Sequence, residues 1–257
     1  MANNIKTFKK LHQGNSLFIL PNVWNVKSAL QFQELKFPAI ATSSMAVANS
    51  IGYQDGEEMP FSDYLFIIKR IASVVKIPLS VDMEMGYGSS DEKIISNIQK
   101  LTDIGIAGIN IEDSVISKTG RTLKDAKLFA LTIEKIKNKL IAKGIDLFIN
   151  VRCDTYILDV KDKQQETLNR LKLYETTGAD GIFLPCICDE SDIAAAVSNT
   201  KLPLNVMCVP GLPGFNSLNK LGVKRVSMGP FMFNKVYAHI SELSQTITKA
   251  GNVAAIL

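Results

Sequence analysis

Short apolar segments alternate along most of this chain with longer segments of mixed polarity. The short segments are almost continuously apolar, which is typical of parallel strands covered on both faces. The longer segments repeat apolar residues at the spacing of an amphipathic helix. The pattern predicts eight strands, at Leu17–Pro21, Ala39–Thr42, Leu79–Asp82, Gly108–Glu112, Leu147–Arg152, Gly181–Pro185, Leu204–Cys208 and Arg225–Met228.

The segments between these strands predict helices, and their ends are marked by glycines. The predicted helices include Phe61–Val75, Asp91–Ile104, Lys124–Lys143, Gln164–Thr177, Glu190–Ser198 and Met232–Thr248. The glycines that follow four helices, where a left-handed residue is favoured, are Gly105, Gly144, Gly178 and Gly222. Eight strand–helix units in about 230 residues favour an α/β fold, a (β/α)₈ TIM barrel. A doubly wound open sheet is the alternative, but no Gly-x-Gly-x-x-Gly follows the first strand.

We expect one barrel domain over residues 1–257, with a helix in residues 1–16 that covers its underside. The net charge is +4, and the lysines are spread along the chain rather than clustered, which argues against a nucleic-acid-binding surface. The first residues lack the apolar core of a signal peptide, and no apolar run is long enough to span a membrane. We therefore predict a cytoplasmic protein that binds neither nucleic acid nor membrane. The four cysteines are then expected to be reduced.

Catalytic residues of such barrels lie at the carboxyl ends of the strands, so the polar residues at these positions are the candidates. The candidates are Asn22, Trp24, Thr42, Ser43, Ser44, Asp55, Asp82, Glu84, Glu112, Asp113, Asn150, Arg152, Asp154, Asn205 and Ser227. Acidic side chains come from two neighbouring strands and one loop, and Arg152 faces them.

A magnesium site is predicted from the acidic members of this set. Asp82 and Glu84 are two residues apart, and on a strand such side chains point to the same side. Together with Glu112 and Asp55 they would hold one Mg²⁺ through direct or water-bridged contacts, because this cation prefers carboxylate oxygens and water. The alternative is a solvated strand end that happens to carry two acids.

The same residues predict chemistry on an α-oxo acid. Such an acid chelates a metal ion through its carboxylate and oxo oxygens. Arg152 supplies a planar fork for the carboxylate, and the turn Ser43–Ser44–Met45 can present backbone N–H groups to it. This arrangement would stabilise the enolate that forms when a neighbouring bond breaks. The alternative role for Arg152 is an ion pair with Glu112 or Asp154.

Neither histidine is expected near these residues, because His12 and His239 lie in the first and last helices. Acid–base work would then fall to carboxylates, lysine, tyrosine or metal-bound water. We take Arg152, Glu112 and Lys118 as candidate catalytic residues, with an exposed surface lysine as the favoured alternative for Lys118. Trp24 is a candidate wall of the substrate pocket, with ordinary packing as the alternative.

The chain resembles the isocitrate lyase/phosphoenolpyruvate mutase superfamily over nearly its whole length. The similar segments are 20–25, 41–44, 52–57, 81–88, 110–113, 149–155, 178–183 and 203–207. The resemblance implies a (β/α)₈ barrel, a Mg²⁺ site, and bond making or breaking next to an α-oxo carboxylate through an enolpyruvate-like intermediate. It also implies a homodimer or homotetramer, since members typically exchange a C-terminal helix within dimers of dimers.

Carried over by position, this resemblance gives the same candidate residues. Ser43, Ser44 and Met45 match the turn that binds the substrate carboxylate, and Arg152 matches the substrate-clamping arginine. The residues that match the acidic metal set are Asp55, Asp82, Glu84 and Glu112, with Glu84 in a place that usually holds Asp.

Departures from the superfamily pattern bear on the reaction. The loop 116–121, Ile-Ser-Lys-Thr-Gly-Arg, has neither the Cys nor the His of the lyase loop, and Pro185 or Cys186 replaces the histidine of phosphonate-processing members. Our leading hypothesis is C–C cleavage or decarboxylation of a small α-oxo acid, with the loop 116–121 as a lid. A phosphonopyruvate or phosphoenolpyruvate mutase or hydrolase is the second hypothesis, and a non-catalytic small-acid-binding protein is the third.

Overall fold

A computed structural model describes residues 2–117 and 120–257 of the chain. Within these residues nine parallel strands form one sheet, and a two-stranded antiparallel ribbon lies apart from it. The strands of the sheet are β1 Phe18–Leu20, β2 Asn22–Val23, β3 Ile40–Thr42, β4 Leu79–Asp82, β5 Gly108–Glu112, β8 Phe148–Arg152, β9 Gly181–Leu184, β10 Leu204–Met207 and β11 Arg225–Ser227, and those of the ribbon are β6 Ser114–Ser117 and β7 Gly120–Leu123.

The sheet curls into a barrel that closes through the first predicted strand. This strand is divided at Pro21 into β1, which pairs with β11, and β2, which pairs with β3. Proline has no N–H to donate and so interrupts the ladder, while the carbonyl of Pro21 still accepts a bond from Ala41 N at 2.9 Å. The two halves of one strand therefore join both edges of the sheet, and the predicted TIM-barrel fold is confirmed.

Helices alternate with the strands and cover the barrel. They are α1 Ala2–Gln13, α2 Val26–Glu34, α3 Ser44–Ser50, α4 Phe61–Ala72, α5 Asp91–Thr102, α6 Ala126–Ala142, α7 Lys163–Tyr174, α8 Glu190–Ser198, α9 Phe215–Leu221 and α10 Phe231–Ala250. The predicted glycine positions are confirmed, since Gly178 and Gly222 follow helical turns with φ values of +79° and +93°. None of the described helices is long and apolar enough to cross a membrane.

Helix α1 covers the amino-terminal end of the barrel, as predicted, although it ends at Gln13. Phe8 is fully buried against Phe148, and their ring centroids lie 5.4 Å apart. Only glycine fits at position 108, because a Cβ there would lie 2.8 Å from the Phe8 ring. The ring of His12 stacks on Phe148 at 4.0 Å.

Above this layer the buried guanidinium of Arg225 lies inside the barrel. It donates to the side-chain oxygens of Asn110 and Asn205 at 3.0 and 2.7 Å, and Nη1 lies 3.3 Å from His12 Nε2. Phe8, His12, Phe148 and Arg225 form what we call the floor of the barrel.

Of the segment predicted as a loop at 116–121, the described residues 116–117 and 120–121 are instead part of the ribbon β6–β7. Ser114 pairs with Leu123 and Ile116 with Arg121, so the described residues of this segment belong to an antiparallel pair. Its short alternating sequence is compatible with a strand, whereas its polar residues and glycine are typical of a loop. The ribbon rises from the carboxyl end of β5 and therefore lies beside the chemical end of the barrel.

Candidate active site

A cavity of about 290 Å³ lies at the carboxyl ends of the strands, which we call the mouth of the barrel. Its polar lining comes from five strands, helix α3, the ribbon and the loop before α4, while its apolar lining comes mainly from β9, β10 and the start of α10. The lining residues are Asn22, Ser43, Ser44, Met45, Asp55, Asp82, Asn110, Arg121, Arg152, Ile157, Phe183, Pro185, Cys186, Met207, Val209, Ser227, Gly229, Pro230 and Phe231.

Asp82, the last residue of β4, carries a carboxylate that is only half satisfied. Its Oδ2 accepts a hydrogen bond from Ser44 Oγ at 3.0 Å, whereas Oδ1 is buried and has no hydrogen-bond partner in the described part of the chain. Burial raises the pKa of this carboxyl group, and the positive charge of Arg152 opposes that effect. An unpartnered buried carboxylate oxygen is costly unless a ligand completes it.

The backbone of Asp82 is held by Thr42, one of the candidates at the strand ends, and by Tyr64, which was not a candidate. Tyr64 from α4 donates its hydroxyl to the carbonyl of Asp82 at 3.0 Å, and the amide of Asp82 donates to Thr42 Oγ1 at 3.0 Å. Tyr64 and Thr42 are themselves hydrogen-bonded at 2.6 Å. Sequence reasoning missed Tyr64, because it lies in the apolar stripe of a helix and looks like an ordinary core residue.

Asp55 reaches the cavity from the loop before α4. Its Oδ1 accepts from Ser44 Oγ at 3.4 Å, and its Oδ2 lies 4.0 Å from Arg121 Nη2. Ser44 thus lies between two carboxylates that face the same cavity. The structure brings Asp55, Asp82 and Ser44 together as the sequence predicted.

Glu84 is buried beside the cavity but does not share a strand face with Asp82, so that expectation was wrong. Strand β4 ends at Asp82, and Glu84 lies in a turn with φ +46°. One oxygen accepts from the Tyr87 hydroxyl at 2.6 Å and the other from Glu57 N at 2.9 Å. Burial, together with the charge of Asp55, raises the pKa of Glu84 to about 8.

Glu112 ends β5 behind the cavity wall and is fully buried. One oxygen pairs with Arg121 Nη1, and the other lies 2.7 Å from Arg152 Nη1. Burial raises the pKa of Glu112 to about 7, although Arg152 opposes this and Asp154 adds to it. Glu112 therefore orients the two arginines rather than lining the cavity itself.

Arg152, at the end of β8, lines the cavity and is bound on three nitrogens. Besides Glu112, it contacts Asp154 through Nε at 2.6 Å and Nη2 at 3.3 Å. Burial disfavours its charge, but the carboxylates of Glu112 and Asp154 outweigh this and raise the pKa of Arg152. Arg152 therefore lines the cavity, as predicted. It also makes the ion pairs with Glu112 and Asp154 that were the alternative.

The remaining predicted residues differ in how close they lie to the cavity. Ser43 caps helix α3, its Oγ accepting from Ala46 N at 3.3 Å, so Ser44 and Met45 form the first turn of that helix beside the cavity. Trp24 is buried and packs edge-to-face on Phe233 at 5.3 Å, and within the described chain it is not part of the cavity lining. Lys118 lies outside the described residues.

The donors at the mouth suit a hard cation. Asp82, Asp55 and Ser44 offer only oxygen ligands, and Mg²⁺ is bound in many proteins by one or two carboxylates with water completing the shell. No group of three or more His, Cys, Asp or Glu side chains in the described residues is arranged to hold a metal by itself. The unpartnered Oδ1 of Asp82 nevertheless fits a bound cation.

The chain matches a known family over most of its length. A model of the family described as phosphoenolpyruvate phosphomutase matches residues 8–248. The match runs from helix α1 to the last turns of α10 and so includes every residue that lines the cavity.

Three individual proteins illustrate the range of similarity. The uncharacterized protein Rv1998c of Mycobacterium tuberculosis is 36% identical over 223 residues, 87% of this chain and 81% of its own length. Oxaloacetate decarboxylase 1 of Pseudomonas fluorescens is 26% identical over 259 residues, 97% of this chain and 88% of its own. The crystal structure of a Burkholderia cenocepacia protein has a TM-score of 0.88 at 31% identity and covers 95% of this chain and 99% of that one.

Proposed function

The chain belongs to the phosphoenolpyruvate phosphomutase family, and from that premise we propose that it cleaves a C–C bond, or decarboxylates, next to the oxo group of a small α-oxo acid. The family is described by an enzyme activity and the relatives with a named activity are enzymes, with lyase or mutase chemistry.

One observation carries the proposal. The buried Oδ1 of Asp82 has no partner among the described residues, at a mouth where two guanidinium groups also line the cavity. A site with an incomplete carboxylate and two fixed cations suits a ligand that combines a metal ion with an organic acid. An α-oxo acid bound to a divalent cation has both parts.

Enzymes of this family generally use a divalent metal ion. In this chain we assign Mg²⁺, with Asp82 and Asp55 as the residues that would hold it, and with Glu84 and Glu112 acting through water or through their charge. Bound there, the cation would polarise the substrate oxo group as a Lewis acid. The oxygen-only donor set favours Mg²⁺ over softer metals.

The chain's own groups would then bind and orient the acid. Arg152 and the backbone N–H groups of Ser43, Ser44 and Met45 are proposed to hold the substrate carboxylate. Glu112 keeps the Arg152 guanidinium in place through the 2.7 Å contact. The enolate left by bond cleavage would face this positive wall. The acid–base role of Lys118 and the lid role of the ribbon stay predictions.

The apolar end of the cavity favours C–C over P–C chemistry. A transferring phosphoryl group needs cations or donors around its oxygens, but Pro185, Cys186 and Phe183 line the cavity at the end of β9. Phosphonate mutase or hydrolase activity remains the second candidate, because the family is described as phosphoenolpyruvate phosphomutase.

A panel of α-oxo acids and phosphonopyruvate, incubated with Mg²⁺ and followed by ¹H and ³¹P NMR, tests the proposal. We expect turnover of an α-oxo acid with the loss of a carbon fragment, and no activity with excess EDTA. Turnover of phosphonopyruvate alone would favour the second candidate. Binding without turnover of any compound would favour the third hypothesis, a small-acid-binding protein.

We also propose that the chain assembles with copies of itself through helix α10. None of the residues of this 20-residue helix is buried, and Val236, Tyr237 and Ile240 are 40–50% exposed on it. An apolar helix face of this size is typical of an interface. Sedimentation equilibrium should give a dimer or tetramer, and Tyr237→Glu with Ile240→Glu should give smaller species. The cytoplasmic location likewise stays a proposal.

A further inference from the structure

Asp113 directly follows β5 and is fully buried, but within the described chain it is not part of the cavity lining. Its backbone amide donates to the carbonyl of Arg152 at 3.0 Å, and its Oδ1 accepts from the amide of Asp154 at 2.8 Å. Asp113 therefore holds the segment 152–154, which ends β8 and leads out of it, at both of its ends.

The segment held in this way carries the arginine of the mouth. Arg152 lines the cavity, and the carboxylate of Asp154 contacts its Nε at 2.6 Å and its Nη2 at 3.3 Å. A carboxylate that binds two nitrogens of one guanidinium fixes the plane of that group. A shift of the Asp154 backbone would consequently turn the guanidinium of Arg152.

Two side chains of helix α7 fix the carboxylate of Asp113 in turn. Arg170 Nη1 and the hydroxyl of Tyr174 donate to Asp113 Oδ2 at 3.0 and 2.7 Å. Arg170 and Tyr174 are four residues apart, so they lie on one face of the helix, and both are buried. Arg170 Nη2 also donates to the carbonyl of Lys124, directly after the ribbon, at 3.1 Å. The second shell of contacts behind Arg152 thus joins β5, β8 and α7.

We infer that Asp113 is a positioning residue for substrate binding, which acts through Asp154 and sets the direction of the Arg152 guanidinium. The inference rests on the proposed function, in which Arg152 holds the carboxylate of the oxo acid. Burying the ion pair of Asp113 and Arg170 has a desolvation cost that apolar side chains of similar volume would avoid. Apolar packing could fill the same space, but it could not hold the amide of Asp154 in one direction, since that requires a hydrogen-bond acceptor.

Oxalate binding in the presence of Mg²⁺ tests this role, because oxalate offers the chelating oxygens and the carboxylate of an α-oxo acid. Titration calorimetry would give the Kd of oxalate for the parent chain and for Asp113→Asn, Tyr174→Phe and Phe8→Ala. Tyr174→Phe removes one hydrogen bond to Asp113 and keeps its ion pair with Arg170, so it is the milder variant. Phe8→Ala is the control, because it removes a buried ring at the opposite end of the barrel.

We expect Asp113→Asn to weaken oxalate binding by about tenfold or more and Tyr174→Phe by about threefold, because a turned guanidinium loses hydrogen bonds to a charged group. The Kd of Mg²⁺ without oxalate should change by less than about twofold in both variants, because the side chain of Asp113 contacts β8 and α7 rather than Asp82 or Asp55. Phe8→Ala should change neither Kd.

A lower melting temperature with an unchanged Kd of oxalate would overturn the inference, because Asp113 would then serve stability alone. Equal weakening by Phe8→Ala would also overturn it, since a general loss of stability would explain the effect. If Asp113→Asn does not fold, Tyr174→Phe decides by the same criteria. Failure of the parent chain to bind oxalate with Mg²⁺ would instead contradict the proposed function, and the inference with it.

Discussion

The floor and the mouth of this barrel bury ionisable groups of opposite kinds. At the floor they are bases, His12 and Arg225, whose partners are neutral amides, a carbonyl and each other. At the mouth they are mainly acids, and Asp82 keeps a buried oxygen without a partner in the described chain. Arg225 Nε at the floor is also buried without a hydrogen-bond partner in the described residues, but its two other nitrogens are bound by His12, Asn110 and Asn205. The unpartnered oxygen at the mouth, in contrast, belongs to a residue that lines the cavity.

Hydrogen bonds define the protonation state at the floor. The Phe8 carbonyl, 2.8 Å from His12 Nδ1, can only accept, and the Arg225 guanidinium beside Nε2 can only donate. His12 is therefore neutral with its proton on Nδ1. Burial and then the charge of Arg225 lower the pKa of His12 to about 3, and burial lowers the pKa of Arg225 to about 9.

The two ends should consequently respond to pH with opposite signs. Burial raises the pKa of Glu84 from an ordinary value of 4.5 to about 8, so between these pH values the folded chain binds this proton and the unfolded chain does not. The free energy of unfolding therefore falls as the pH rises from 4.5 to about 8. The pKa of His12 is lowered to about 3, so between pH 6.5 and 3 the unfolded chain binds a proton that the folded chain does not. The free energy of unfolding therefore falls as the pH drops through this range.

The largest effect is expected from Asp82→Asn at the mouth. Loss of the carboxylate should lower kcat/KM by about a thousandfold, because the proposed cation loses its main ligand. The melting temperature without metal should not fall, since a buried and half-satisfied charge has been removed. Steady-state kinetics and calorimetry check both, with the exposed Asp103→Asn as control. Activity within a few-fold of the parent would show that the mouth does not depend on this acid.

Phe8→Ala should have the next largest effect, on stability alone. Removing a fully buried ring from the floor should lower the free energy of unfolding by about 3 kcal/mol, while kcat/KM of the folded protein stays unchanged. Urea denaturation gives the first quantity. The control is Phe66→Ala, because Phe66 is 61% exposed on α4 and its loss should cost less than about 0.5 kcal/mol. A parallel loss of kcat/KM in Phe8→Ala would mean that floor and mouth are not independent.

A smaller effect is expected from His12→Phe, which keeps a ring against Phe148. The parent should lose stability relative to this variant as the pH falls below 6.5, because only the parent takes up a proton on unfolding. Thermal midpoints of both proteins at several pH values measure this difference. A difference that does not change with pH would contradict the neutral, buried His12.

The sequence predicted the fold more reliably than the site, for physical reasons. Continuous apolar strands and glycine-ended helices are local signals, so the barrel and the covering helix α1 could be inferred. Glu84 was misplaced because strand alternation was extended two residues past Asp82, into a turn where φ is +46°. The ribbon was not predicted, because strand β7 has only four residues. Four residues of alternating polarity are too short a pattern to indicate a strand.

The residues that approach the cavity from a distance in sequence could be predicted only in part. Asp55, Asp82 and Arg152 follow strands or a neighbouring loop, and the barrel rule places them at the mouth. Tyr64 reaches Asp82 from a helix, and Arg121 reaches the cavity from the ribbon. Tyr64 and Arg121 do not follow a barrel strand, so the position of a residue relative to the strands does not predict their place at the mouth. Their contacts are seen only in the folded structure.

Thermal unfolding with and without saturating Mg²⁺ tests most directly whether the mouth is built for a cation. We expect Mg²⁺ to raise the midpoint of the parent chain, and to do so more at pH 8 than near pH 5, because burial raises the pKa of Glu84 to about 8 and the group is protonated at the lower pH. Asp82→Asn should abolish this rise. A Mg²⁺ effect that is absent in the parent, or equal in the parent and in Asp82→Asn, would contradict the proposed cation site.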